Sequence, residues 1–216
     1  MIAMTTPTAI SITAIARGLR GAGVADDGVR VVIAPVYWCQ SLPWCTRRGR
    51  TLGSVSGVTL VFRRDLDFSP AIVWDALVDP VLIEGWLADA TVDFRLGGRF
   101  RLDWIEPAHL VPFESRIAAL EPQVLLELAS RGGGGLRFDL EEVAGGSRGT
   151  STALTITVAG ALEPRFAPGV IAHWQSNFDQ LAELLRGHPV DWPHWERDRG
   201  EHFGGHLEKA QRDSSL

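Results

Sequence analysis

Few side chains in this sequence have the types and spacings that chemistry needs. His202 and His206 stand four apart, the spacing at which one helix face offers two imidazoles to a metal, but Gly204-Gly205 between them weakens any helix there. Of the other four histidines, His109 lies in a loop before the fourth strand, His173 on the edge of the long helix, and His188 and His194 in the tail. Cys39 and Cys45 are the two cysteines, with no second pair to complete a zinc site, so no metal is expected. HExxH, GxGxxG and the phosphate-binding loop are all missing. The glycine run from Gly132 to Gly135 lies between two strand-like segments and opens no helix, which makes it a turn. Catalytic residues and cofactors therefore have no motif to stand on, and binding is the chemistry left to consider.

Binding depends on which residues face inward. The organising stretch is GVIAHWQSNFDQLAELLRG, Gly169 to Gly187, where Val170, Trp174, Phe178, Leu181 and Leu185 recur at helical spacing and Gln175, Asp179, Glu183 and Arg186 fall opposite. Pro168 precedes it, and Gly187 followed by Pro189 ends it. The stripe needs a cover, and the segment from about Val58 to Val158 supplies one. Val58, Leu60 and Phe62 alternate as a first strand. Ser69-Pro70 and Asp79-Pro80 each open a short helix, carrying Val73, Trp74 and Leu77, then Leu82, Ile83, Trp86 and Leu87. A hairpin is expected from Val92-Phe94-Leu96 and Phe100-Leu102-Trp104 around a two-residue Gly97-Gly98 turn. Further strands are expected at Phe113 to Leu120, Val124 to Ala129, Leu136 to Val143 and Thr152 to Val158. The order is strand, two short helices, six antiparallel strands and a long helix, an α+β layout.

Alternation then sorts the strands into two faces. Phe94, Phe100, Leu102, Trp104, Phe113, Ile117, Leu126, Phe138, Leu140, Leu154, Ile156 and Val158 share the buried parity. Polar groups on or beside that face are few: Ser115, Thr152, the indole nitrogens of Trp104 and Trp174, and Asn177 on the flank of the helix stripe. A sheet curved around one helix leaves space between them. There Phe100, Trp104, Phe138, Trp174 and Phe178 form an aromatic wall, and Ser115 and Asn177 are the candidates for orienting a ligand. The other parity carries Asp93, Arg95, Arg99, Arg101, Asp103, Glu114, Arg116, Arg137, Asp139 and Glu141, cross-strand pairs on a solvated face. No titratable group is forced into the space by the pattern.

Composition sets the outer bounds. At 216 residues, 45% hydrophobic and 22% charged, the chain is long enough for one well-buried domain plus appendages. Residues 1–56 hold six arginines and two acids, +4, whereas residues 57–216 hold fifteen basic and twenty-four acidic residues, −9. An acidic domain repels phosphate backbones, so nucleic acid is not an expected partner. Residues 1–56 show no sustained period and are expected to form a poorly ordered extension; Val29 to Trp38 is strand-like but interrupted by Pro35. Residues 188–216 are expected to form a tail in which Trp192 and Trp195 fold back and the last dozen residues fray. No apolar run is long enough for a membrane span. Arg17 and Arg20 follow the apolar run Ala9 to Ala16, the wrong order for a secretory signal, so a cytoplasmic location is expected.

SPAIVWDALVDPVLIEGWL followed by VDFRLGGRFRLDW resembles the opening of the SRPBCC, or START-like, superfamily. Within it the sequence is similar to the group of the activator of the heat-shock-protein-ninety ATPase homologue C-terminal-like domain, and the likeness continues through ESRIAALEP and Gly149-Thr150 to the closing helix, over about 57–187. The resemblance implies a helix-grip fold, a curved antiparallel sheet of about seven strands wrapped around a long C-terminal helix, with two short helices after strand one. It also implies a deep cavity for an apolar or amphipathic small molecule and no shared catalytic motif. Three functions are compatible with it. The first is binding of a small hydrophobic molecule without reaction, by a monomer or homodimer. The second is a cyclase-like or dehydratase-like activity on a hydrophobic substrate, which needs a polar cluster of shifted pKa inside the cavity. The third is a chaperone-activating interaction module, which needs an exposed apolar patch on the outer sheet face.

Overall fold

The computed structural model describes residues 29–35, 56–105, 111–131, 133–146, 149–160 and 164–213. Its strands are β1 (Val29–Pro35), β2 (Ser56–Leu66), β3 (Ala88–Val92), β4 (Arg99–Trp104), β5 (Phe113–Glu121), β6 (Leu125–Ser130), β7 (Gly135–Ala144) and β8 (Thr150–Gly160). Two short helices, α1 (Pro70–Val78) and α2 (Pro80–Glu84), follow β2, and two long ones, α3 (Ala167–Leu185) and α4 (Trp195–Asp213), close the chain. All neighbouring strands are antiparallel, in the order β1-β2-β8-β7-β6-β5-β4-β3. The curled sheet grips α3, the helix-grip arrangement.

The seven strands that the alternation and the resemblance anticipate are β2 to β8, and β1 adds an eighth on the edge. It pairs with β2 from Val29 opposite Phe62 to Pro35 opposite Ser56. Its position is consistent with its proline, since only an edge strand ending there can spare the missing N–H. The Cys39 and Cys45 pair and the rest of residues 1–28 and 36–55 lie outside the described residues.

Helix starts follow local chemistry. Asp79 ends α1, its N–H donating to the Asp75 carbonyl at 2.9 Å, and caps α2, its carboxylate accepting from the Val81 N–H at 2.9 Å. Pro70 and Pro80 each sit in a first turn, where an N–H would have no partner. Ser69 occupies the cap position of α1 in extended conformation, but its hydroxyl makes no capping bond. At the end of α3, Gly187 adopts φ +93° and the His188 N–H reaches back to the Glu183 carbonyl at 2.9 Å.

Two expectations are corrected. The hairpin is not closed by a two-residue turn: β3 ends at Val92, opposite Phe100, and Asp93 to Gly98 form a compact loop. Gly97 (φ +77°) and Gly98 bond instead to Ile117 of β5, beside the irregularity between Ile117 and Ala119. A Cβ on Gly98 would stand 1.9 Å from the Asp93 carbonyl oxygen, so glycine is required there. Phe94 consequently leaves the inner face and lies exposed, its ring edge-on to Trp74 at 6.1 Å. The second correction concerns the tail, which is helical to Asp213 and packs along α3. A few anchors hold it: the Trp195 indole N–H donates to Gln180 Oε1 at 2.6 Å, His206 meets Asp179 at 2.7 Å, and Ala210 is buried. No helix among the described residues is long and apolar enough to cross a membrane.

Candidate functional site

The inner sheet face and α3 meet in an interior dominated by rings. Phe62 of β2 touches both Trp174 and Phe178, with centroids 6.4 and 5.2 Å apart, and those two helix rings stand 5.9 Å from each other. Arg64, two residues beyond Phe62 and on the same face of β2, lays its guanidinium over the Phe178 ring at 5.1 Å and donates to Gln175. A cation on this face departs from the expectation that charge falls on the other parity.

Each expected site residue has a definite place. Phe100, Phe138, Trp174 and Phe178 are buried. Trp174 and Phe178 are together on α3, whereas Phe138 lies on β7 between Leu126 and Ile156 of the flanking strands. Trp104 is only partly buried; its indole N–H donates to the Val111 carbonyl at 3.1 Å and its ring stands edge-on to His173 at 5.7 Å. Ser115 is buried opposite Phe100 and donates its proton to the Phe100 carbonyl at 2.7 Å, which leaves the hydroxyl oxygen only an acceptor's role. Thr152 is similarly committed, to the Phe68 carbonyl at 2.7 Å. Asn177 is 3% exposed, and its Nδ2 has no hydrogen-bond partner.

Two further buried atoms share that condition: His173 Nε2 and Ser176 Oγ. Buried polar atoms are nearly always paired, because an unpaired one costs about 1–3 kcal/mol in lost hydration. Three within five residues of one helix therefore mark a place. His173 and Asn177 are four apart and share one side of α3, next to the aromatic stripe, while Ser176 lies roughly 100° round the helix from Asn177. Burial without a partner pushes the His173 imidazole down to about 4, so it is neutral at pH 7. His173 was legible only as an edge residue of the stripe; its spacing from Asn177 was the signal that it belongs to the site.

Gln180 connects this cluster to α4 and α2. Its Nε2 donates to the Trp86 carbonyl at 2.7 Å and faces Asn177 Oδ1 at 3.4 Å, and its Oε1 accepts from the Trp195 indole at 2.6 Å. No group of His, Cys, Asp and Glu among the described residues forms a metal cluster.

Against known proteins, residues 67–186 match the family described as activator of Hsp90 ATPase homolog 1-like protein. The chain belongs to this family. Solved structures agree on the fold of this Hsp90-ATPase-activator-like chain. The solution structure of CalU16 from Micromonospora echinospora aligns with a TM-score of 0.54 at 21% identity, over 74% of this chain and 88% of that one. A conserved protein of unknown function from Enterococcus faecalis, EF2215, aligns at 0.52 with 16% identity, over 72% and 86%. Protein MLL2253 from Mesorhizobium loti aligns at 0.50 with 24% identity, over 61% and 99%. No curated protein matches the chain. The family and its fold are of a ligand-binding type.

Proposed function

We propose that this protein binds a small apolar or aromatic molecule between the sheet and α3 without altering it chemically. The supporting observation is the unpartnered Nδ2 of buried Asn177, four residues from the equally unpartnered Nε2 of His173, beside the Phe62–Trp174–Phe178 rings. A ligand with an apolar body and a polar end would satisfy what the chain leaves unpaired. Phe100, Phe138, Trp174 and Phe178 supply wall, Trp104 the rim, Asn177 and His173 direction, and Ser115 at most an acceptor.

A thermal-shift panel of fatty acids, sterols and polyketide-like aromatics tests the reading. A ligand at a hundred times its Kd adds about 2.7 kcal/mol, a rise in Tm on the order of 5 to 10 °C for a chain of this size. If no class moves Tm, and a crystal structure shows ordered water alone bonded to Asn177 and His173, the reading fails.

His173 also gives a specific footing to a second reading, a cyclase-like or dehydratase-like activity, since it is a buried titratable group of shifted pKa beside the aromatic wall. It ranks second because an imidazole titrating near 4 is a weak base at neutral pH. An NMR titration of His173 with ligand bound separates the two. A shift to near 7 accompanied by product formation would favour the enzyme.

A further inference from the structure

Resting on that binding reading, the geometry points to the chemistry of the ligand's polar end. We propose that it is a neutral hydrogen-bond acceptor received by Asn177 Nδ2, and that the Trp86 carbonyl and Trp195 of the C-terminal helix together fix this preference from outside the site.

The orientation of the Asn177 amide follows from a chain of groups whose roles are forced. An indole N–H can only donate, so the atom of Gln180 that meets Trp195 at 2.6 Å must be Oε1. That places Gln180 Nε2 on its other side, where the Trp86 carbonyl, which can only accept, stands at 2.7 Å. Asn177 faces the same Nε2, so its near atom must be Oδ1, at 3.4 Å. The donor Nδ2 is thereby turned to the far side of the amide, where no hydrogen-bonding group among the described residues meets it. Both restraints act in one sense, the Trp195 indole on Gln180 Oε1 and the Trp86 carbonyl on Gln180 Nε2, so the two amides could exchange oxygen for nitrogen only with the loss of both bonds. Asn177 Nδ2 is therefore the donor. His173 beside it is a neutral imidazole, which offers either an N–H or a lone pair at Nε2 according to its tautomer and excludes neither kind of neutral head.

A carboxylate is disfavoured at this end. It would be buried against a neutral imidazole and an amide with no cation among the described residues placed beside them, and an unpaired buried charge is far more costly than an unpaired amide. The cation on this face, Arg64, lies on the opposite flank of the α3 stripe, over Phe178 and against Gln175. The proposed site therefore distinguishes a ketone, ester or amide from a fatty-acid-like anion of the same body.

Three probes of one shape test this on the full chain: 2-naphthamide, 2-naphthoate and 2-methylnaphthalene, each titrated calorimetrically. The expected result is 2-naphthamide binding about tenfold tighter than 2-methylnaphthalene, the worth of one good hydrogen bond, and 2-naphthoate weakest at pH 7. In Trp195→Phe, where the Trp86 carbonyl still holds Gln180 Nε2, the amide's advantage shrinks in part while 2-methylnaphthalene affinity holds. In Asn177→Leu, which keeps the branched shape and heavy-atom count and changes no residue of α4, the advantage vanishes, so the assignment remains testable if Trp195→Phe does not fold. Equal binding of 2-naphthamide and 2-methylnaphthalene overturns the proposal and leaves the binding reading intact. So does tightest binding by 2-naphthoate that disappears in Arg64→Met, which would place the head at the other flank. A Trp195→Phe variant that weakens all three probes equally overturns the role of Trp195. Failure of all three probes and of the wider panel overturns the binding reading and this inference together.

Discussion

The two faces of the sheet handle polar groups in opposite ways. On the outer face Arg99 and Arg101 both bond Glu114, Arg101 also takes Asp103, and Arg137 lies between Glu127 at 2.9 Å and Asp139 at 2.7 Å. On the inner face apolar side chains dominate, yet Asn177 Nδ2 and His173 Nε2 on the facing helix have no partner. On the proposed binding reading, charge density is thus a poor guide to function in this molecule. The charged outer face has spent its ion-pairing capacity on itself, and it offers little to a chaperone surface that needs contiguous apolar area. The quiet inner side holds the unsatisfied chemistry.

The comparison breaks most visibly if the interior is emptied. Trp86 is fully buried, and its indole N–H donates to the Ala76 carbonyl at 2.9 Å. Trp86→Ala removes a large side chain and orphans that carbonyl, and about 3–5 kcal/mol of stability should go with it. Urea unfolding followed by circular dichroism measures the loss; a change below about 1 kcal/mol would mean that the α1–α2 corner repacks freely.

His173 sharpens the same contrast through pH. Its folded-state pKa, about 4, lies below its ordinary value of 6.5, so the unfolded chain binds the proton first as pH falls. The stability associated with neutral burial is complete above about pH 6.5 and is lost as pH falls from there toward 4, by about 3 kcal/mol in all. His194 acts in the opposite sense, because its bond to Asp191 raises its pKa: its contribution is present below its unfolded value and lost above it. Comparing wild type with His173→Gln cancels that background. Unfolding midpoints between pH 6.5 and 5 should fall less steeply in the variant, and parallel curves would show that His173 is reached by solvent.

Most of the fold could be read from spacing, and part of the site could not. Phe100, Leu102, Ile117, Leu126 and Ile156 occupy the buried parity because strand alternation has a period of two that no loop disturbs. Phe94 escaped that rule: a glycine pair bonded to a third strand left β3 to end at Val92, four residues short of Leu96. The α4 helix was hidden by its polarity, since Trp195, His206 and Ala210 suffice to anchor it and α3 supplies the rest. Asn177 was legible as a polar group beside a stripe. Its direction was not, because that depends on Gln180 and Trp195, one of which belongs to another helix.

Arg137 tests whether burial separates two ion clusters on one face. Its side chain is 7% exposed, and its carboxylate partners Glu127 and Asp139 are 20% and 23% exposed. Arg137→Met leaves two carboxylates close together and poorly hydrated, so a loss of about 2 kcal/mol is expected, less than for a fully buried pair. The double variant Arg137→Met with Asp139→Asn should recover part of it. No recovery would mean that the guanidinium acts through its packing alone.

The smallest effect belongs to the exposed cluster. Arg101 donates to Asp103 and Glu114, and those bonds hold the carboxyl groups of both below their ordinary range: for Asp103 the bond from Arg101 is the main cause, for Glu114 the bond from Arg99. Water competes for every one of these charges, and Arg99 remains to hold Glu114 at 2.8 Å after Arg101 is removed. Arg101→Ala should therefore leave the urea midpoint almost where it was at physiological salt, with any deficit appearing only at low ionic strength. It should also leave the affinity for 2-naphthamide unchanged, since Arg101 belongs to the outer parity. A large loss of stability would mean that this cluster is covered by something and is no ordinary surface. A loss of affinity would mean that the two faces are coupled through β4, where Arg101 lies between Phe100 and Leu102, and the separation between them would no longer hold.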